Sequence, residues 1–428
     1  MVSALSSLRH RNFRLYLTGQ FISLIGTWMQ SMALSWMVYK MTKSTFWLGV
    51  VTFSSQIPTF VLGLFAGVLV DRVNRHKLLI WTQSLQAIQA ALLAYLTIFG
   101  KITLSEIITL SIFLGIVNSV DMPARQAFVV QMVEGRKDLP NAIALSSSVM
   151  HGTRLIGPAI AGLMIAAIGE GPCFLLNAVS YIAVILALLF MKVNPPVFRN
   201  NHENVFYSMR EGIRAAFSFR PIGTILILLS IMSLIGMSYV TLFPALAATL
   251  LKGDAHTLAL VTSSSALGGL AAALFLASRK TVLKLGRAIA ASALILAVGI
   301  LALSRTSNPY YVFPLLFCTG FGMMLQMSCG NTLIQTLVDD DKRGRVMSIF
   351  IWALMGMSPF GSLLIGALAE KFGLIQALFL CGGLCLVTAF WFLSRLQILS
   401  ADVRPLYIRL GILTLSGEGS FTADKFVF

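Results

Sequence analysis

The sequence predicts an all-α membrane protein with twelve transmembrane helices in two six-helix bundles, and three observations carry that reading. Of its 428 residues, 57% are hydrophobic and only 11% are charged, with a mean hydropathy of +0.84. A soluble chain carries about a quarter charged residues. Twelve apolar stretches can be drawn that are long enough to cross a hydrocarbon layer of roughly 30 Å, which takes about 20 helical residues. These stretches fall six and six about one polar segment. Within lipid every backbone polar group must be satisfied internally, which among open structures only a helix achieves.

In chain order the predicted spans are 13–39, 45–70, 78–99, 104–128, 142–168 and 172–192, then 221–248, 256–278, 286–304, 309–336, 346–369 and 374–396. The apolar run behind the basic N-terminal stretch is too long for a signal-peptide core, so it counts as the first span. Pro195 and Pro196 stop a helix, and the polar residues after them suit an aqueous linker whose second part could be a surface helix. The expected organisation is a bundle over 1–194, a linker over 195–220, a second bundle over 221–396 and a loosely packed tail over 397–428.

Charge sets the orientation. With both termini cytoplasmic, most of the 32 Lys and Arg fall on the inner side, including Arg72, Arg75, Lys77, Arg125, Arg136, Lys137, Arg279 and Arg343. The outer side keeps Lys40, Lys43, Lys101, Lys252, Arg305 and Lys371, as the positive-inside rule requires. The same distribution accounts for the net charge of +16 without nucleic acid, since the bases ring every inner loop instead of gathering on one face. Cys173, Cys318, Cys329, Cys381 and Cys385 lie in or at the ends of apolar runs without His or acidic neighbours at ligand spacing, so no metal site or disulfide framework is expected. No phosphate-binding glycine loop is present, and no cofactor is implied. A membrane-embedded enzyme would need a catalytic cluster within the spans, and none is evident.

The two halves repeat each other. A shift of 204 residues lays Gly152, Gly157, Gly162 and Gly169 over Gly356, Gly361, Gly366 and Gly373. Six spans per copy give both copies one orientation, the plan of a transporter built from parallel repeats with its substrate site near the midplane.

Specific motifs sharpen this. Gly67, Leu69, Asp71, Arg72, Arg75 and Lys77 resemble the signature of the loop between spans two and three in the major facilitator superfamily. Gly152, Gly157, Pro158 and Gly162 resemble that superfamily's exporter motif in span five. The stretch from Asp121 through Pro123, Arg125 and Gln131, with the run after Leu139, is similar to the branch holding enterobactin-exporter-type and macrolide efflux proteins. The resemblance covers residues 8 to 396. It implies an exporter of a small amphipathic molecule, siderophore-like or drug-like, commonly proton-coupled and functional as a monomer in the bilayer. A lipid flippase or a non-transporting sensor of the same fold is the alternative.

Candidate residues follow. Asp71 ends span two at a depth where an acid has no topological use, and with Arg72, Arg75 and Asp121 it could clasp the inner side shut. The family's glycine is Asn74 here, a residue that tolerates left-handed backbone. The glycines of the exporter motif thin one helix for a close neighbour. Polar stripes at helical spacing mark Gln20, Thr27 and Gln30 in span one, Asn118 in span four, Ser233 and Met237 in span seven, and Met327 and Asn331 in span ten. These are the spans that line the superfamily's cavity, although each such residue could instead bond between helices. Arg154, at mid-span, is expected either to bind an anionic substrate or to pair with an acid, Asp121 being nearest in sequence, with His151 one turn away. Asp121, with His151, is the expected route for protons.

Overall fold

The structure, a computed structural model, describes residues 6–133, 138–193, 205–279, 281–339, 342–410 and 412–413. The side chains of Leu64, Val68, Asp71 and residues 205–208 lie outside the description, as do Pro195, Pro196, Gly411 and residues 414–428.

Among the described residues every regular element is helical. A 3-10 turn, Ser6–Arg9, leads into α1 (Arg11–Thr42), α2 (Thr45–Arg72), α3 (Arg75–Ile98), α4 (Leu104–Met132), α5 (Leu139–Ile168) and α6 (Glu170–Leu189). After α7 (Val205–Ser218) come α8 (Arg220–Ile231), α9 (Phe243–Ala245), α10 (Ala255–Ala277), α11 (Leu285–Leu303), α12 (Pro309–Leu337), α13 (Arg343–Met355), α14 (Ser358–Phe372) and α15 (Leu374–Arg409). Eleven of the resulting helical segments are long and apolar enough to cross a membrane. The third predicted span, α3, forms a helix of 24 residues but is not one of them, because Gln83, Gln86 and Gln89 interrupt its apolar run. The twelvefold count therefore rests, for this segment, on helix formation rather than on hydropathy.

Several boundaries differ from the expected ones for clear reasons. Asn74 is not left-handed. With φ −68° it is extended, and its side-chain oxygen accepts from the Lys77 amide at 3.2 Å, capping α3. Helix α4 runs on to Met132, so Asp121 lies eleven residues, about 16 Å, from that end instead of the seven of a span ending at 128. Nor is the tail loose where it is described. Helix α15 continues to Arg409 because Leu399, Val403 and Tyr407 form an apolar stripe at a spacing of four, buried against α8.

The chain divides into two compact units, Met1–His202 with Phe243–Ser263, and Glu203–Leu242 with Ser264–Phe428. In the first, Phe13, Leu79, Phe128 and Leu188 are 0 to 1% exposed and form an apolar core at the α2–α3 turn. His76 of that turn donates its Nε2–H to the Leu188 carbonyl at 2.7 Å, tying α3 to α6. The segment Phe243–Ser263, drawn in the second bundle from sequence, groups with the first unit. There Gly162 of α5 meets α10 so closely that an added Cβ would collide with the Ala259 side chain.

In the second unit, the amphipathic α7 packs on α13 and Glu211 pairs with Arg345. The seventh span, Arg220–Leu250, is irregular, with π-helical turns at Met232–Met237 and Leu246–Leu250 around a 3-10 turn at Ser238–Leu242. The eleventh breaks between α13 and α14, where Pro359 supplies no amide for the carbonyl four residues back. Two hydroxyls of the seventh span bond to carbonyls on either side of this break: Ser233 donates to the Leu354 carbonyl, and Ser238 to that of Ser358 at 3.3 Å.

The repeat is visible as shared contacts. Gly115 of α4 meets the Ser55 carbonyl of α2, and Gly320 of α12 meets the Ser265 carbonyl of α10, so a Cβ at either would overlap backbone. Likewise Gly157 of α5 lies on α1 at Trp28 and the Ile25 carbonyl, while Gly361 of α14 lies on the Leu234 carbonyl and Ser238.

Candidate functional site

Helices α1, α3, α4 and α6 bring a polar network into the interior of the first unit. Its centre is Asp121 on α4, only 1% exposed. One carboxylate oxygen accepts from Thr82 at 2.7 Å and Gln83 at 2.9 Å, both on α3. The other pairs with Arg125, one turn along the same helix. Arg125 reaches α1 as well, donating to the Gln20 side-chain carbonyl at 2.7 Å. A charge removed from water must be paired and hydrogen-bonded, and the Asp121 carboxylate meets that demand within the bundle with partners on both oxygens.

Amides extend the network in both directions. Gln83 donates to Gln86 at 3.3 Å, and Gln86 to Asn118 at 2.9 Å. A second cluster joins Gln30 to Gln89 at 3.0 Å, with Asn177 of α6 donating to Gln30 at 2.8 Å. Thr27 lies 3.4 Å from the Tyr181 hydroxyl. Three buried atoms at the ion pair, the Tyr16 hydroxyl, the Gln83 carbonyl and Arg125 Nε, have no hydrogen-bond partner among the described residues.

Of the sequence-predicted residues, Gln20, Asn118 and Asp121 thus meet in one network, with Gln30 in the second cluster and Thr27 beside Tyr181. Asp121 was expected to answer Arg75 or Arg154; its partners are Arg125, Thr82 and Gln83. Arg125, counted by sequence among the inner-side bases, is a bundle residue, because Asp121 and Gln20 hold its guanidinium inside the first unit. Arg154 of α5 lies over the Trp28 ring, 5.5 Å from its centroid. Gly157 explains the approach, since a Cβ there would come within 2.5 Å of the Trp28 Cβ. His151 is part-buried one turn before Arg154. Arg72 is exposed at the end of α2, Arg75 opens α3, and the Asp71 side chain lies outside the described residues. In the exporter motif, Gly157, Pro158 and Gly162 are buried, whereas Gly152 faces open space.

In the second unit, Ser233 is fully buried against Leu354, so its hydroxyl serves the helix break. Met237 and Met327 are part-buried, and Asn331 accepts from Gln335 at 2.9 Å. Sequence reasoning missed Thr82, Gln83, Gln86, Gln89, Arg125, Asn177 and Tyr181. The three glutamines, spaced by three within an apolar run, were a readable signal.

Comparison with known proteins agrees with this architecture. The family model described as transmembrane secretion effector matches residues 2–407. The staphyloferrin A transporter of Staphylococcus aureus (strain NCTC 8325 / PS 47) is 26% identical over 384 residues, covering 89% of this chain and 96% of the relative. Macrolide efflux protein A of Streptococcus pyogenes is 23% identical over 386 residues, covering 87% and 92%. The crystal structure of a POT family transporter in complex with 5-aminolevulinic acid superposes with a TM-score of 0.71 at 12% identity, covering 90% of this chain and 96% of that one. That likeness is one of fold. With eleven described helical segments long and apolar enough to cross a membrane, a repeated pair of glycine contacts and a family match over nearly the whole chain, this protein is a multi-pass membrane transporter belonging to the transmembrane secretion effector family of the major facilitator superfamily.

Proposed function

We propose that this protein is a secondary active exporter of small amphipathic molecules, siderophore-like or drug-like, working by alternating access and driven by protons. The observation that carries the reading is the Asp121–Arg125 pair bedded in neutral amides inside the first unit. Amides and hydroxyls next to apolar side chains suit a partly apolar solute, and relatives whose names specify staphyloferrin A transport and macrolide efflux support that class. Protonation of Asp121 would cancel its attraction for Arg125 and free the guanidinium held to Gln20, which couples a proton to a rearrangement of three helices. His151 is the assisting group. Arg154, spread on Trp28, reads an anionic group on the solute. At the inner face Asp71, Arg72 and Arg75 act as the clasp, with both termini cytoplasmic. The protein works as a monomer.

Everted membrane vesicles test this with staphyloferrin A and a macrolide as probes. Acidifying the vesicle interior should drive uptake of one or both, and a protonophore should abolish it. Asp121→Asn should lose gradient-driven uptake while retaining exchange of labelled for unlabelled solute. Equal uptake rates with and without the gradient would exclude proton coupling.

A further inference from the structure

The second unit holds a cavity of about 400 Å³ that the transport reading does not use, within the roughly 300–1,000 Å³ of ligand sites. Phe372, Ile375, Gln376, Phe379 and Leu380 line it together with Arg305. It sits at helix ends, where α11 has just stopped at Leu303, α14 stops at Phe372 and α15 starts at Leu374. Its apolar residues occupy the outward side of their helices. Phe372, Ile375, Phe379 and Leu380 are 44 to 50% exposed, while Ala377, Leu378 and Cys381 of α15 are buried on the opposite side. On a membrane-spanning unit such a face meets acyl chains.

Charge at the mouth selects among lipids. The Arg305 guanidinium lies over the Phe379 ring at 5.1 Å, and the Lys371 ammonium lies over Phe372 at 5.4 Å. Both cations are thereby held at the rim, beside the apolar floor. We infer that this cavity is a binding site for an anionic phospholipid, with the acyl chain on Phe372, Ile375, Phe379 and Leu380 and the headgroup phosphate on Arg305. A guanidinium matches phosphate oxygens two at a time, and a zwitterionic lipid brings its own ammonium into competition for the same contact. Lys371 adds attraction without lining the cavity.

Native mass spectrometry of the full chain, released from nanodiscs of equimolar phosphatidylglycerol and phosphatidylcholine, tests the assignment. The wild type should retain phosphatidylglycerol preferentially. Arg305→Ala should reduce that enrichment about fivefold, the worth of one interfacial cation, and Arg305→Lys, which keeps the charge but loses the paired contact, should fall between the two. Ile375→Trp, which fills the floor and leaves the charge, should also expel the lipid, and it decides the matter if Arg305→Ala does not fold. No preference in the wild type, or equal enrichment in a monodisperse Arg305→Ala protein, would overturn the site.

Discussion

Asp121 and Arg125 lie four residues apart on one helix, so their attraction needs no tertiary structure; what tertiary structure supplies is the desolvation that makes the pair matter. An exposed pair at this spacing contributes only about 0.5 kcal/mol. Inside the first unit, removal of one partner strands a charge among amides and apolar side chains. Arg125→Ala should therefore cost about 3 kcal/mol, read as a lowered thermal midpoint of the purified protein. The double variant Asp121→Asn with Arg125→Gln should recover most of the loss, because neither a buried charge nor a large void remains. A double variant as unstable as the single one would mean that Arg125 acts through packing alone.

At the scale of elements, helix ends and helix crossings do different work. Asp254 shows the first. Its carboxylate accepts from the Thr257 amide at 3.1 Å at the start of α10. That amide bond, with those from its own and the His256 backbone, holds the Asp254 carboxyl below its ordinary value. A carboxylate depressed in the folded state stabilises fully above the ordinary value of 3.8, and the benefit disappears as pH falls through the lowered one. Asp254→Ala should thus cost about 1 kcal/mol at neutral pH, the usual worth of such a cap, and nothing in strong acid. Melting curves across that range check it; a penalty independent of pH would contradict the capping role. The break between α13 and α14 is the converse case. There a proline removes a local bond, and hydroxyls from another helix bond to neighbouring carbonyls at the break.

For the whole molecule, the repeat is a prediction about glycines. Gly157 and Gly361 coincide under the 204-residue shift and make equivalent crossings in their own units, α5 on α1 and α14 on the irregular seventh span. Gly157→Ala should destabilise by about 1 to 3 kcal/mol through overpacking against Trp28, and Gly361→Ala by at least as much, because a backbone carbonyl blocks it. Gly152→Ala, in open space, should be neutral or slightly stabilising through helix propensity. Thermal unfolding of the three variants measures this, and equal losses at Gly152 and Gly157 would remove the crossing argument. The Gly157 variant should also shift Arg154 relative to Trp28, which links the exporter motif to the proposed anion contact.

The sequence by itself determined the helical class, the positions of the spans and the repeat, because hydropathy, charge bias and glycine spacing are written locally along the chain. It also singled out Gln20, Gln30 and Asn118 as candidates for a cavity face and Asp121 for the clasp and the proton route, since a polar residue in an apolar helix has few places to go. Tertiary structure alone decided partners. Apart from Arg125, one turn along its own helix, Asp121 bonds to Thr82 and Gln83 because packing brings α3 alongside α4, and no spacing rule foretells which helix will lie there. The same holds for Arg154 on Trp28 and for the cavity at Arg305, where residues far apart in the chain become neighbours only through packing.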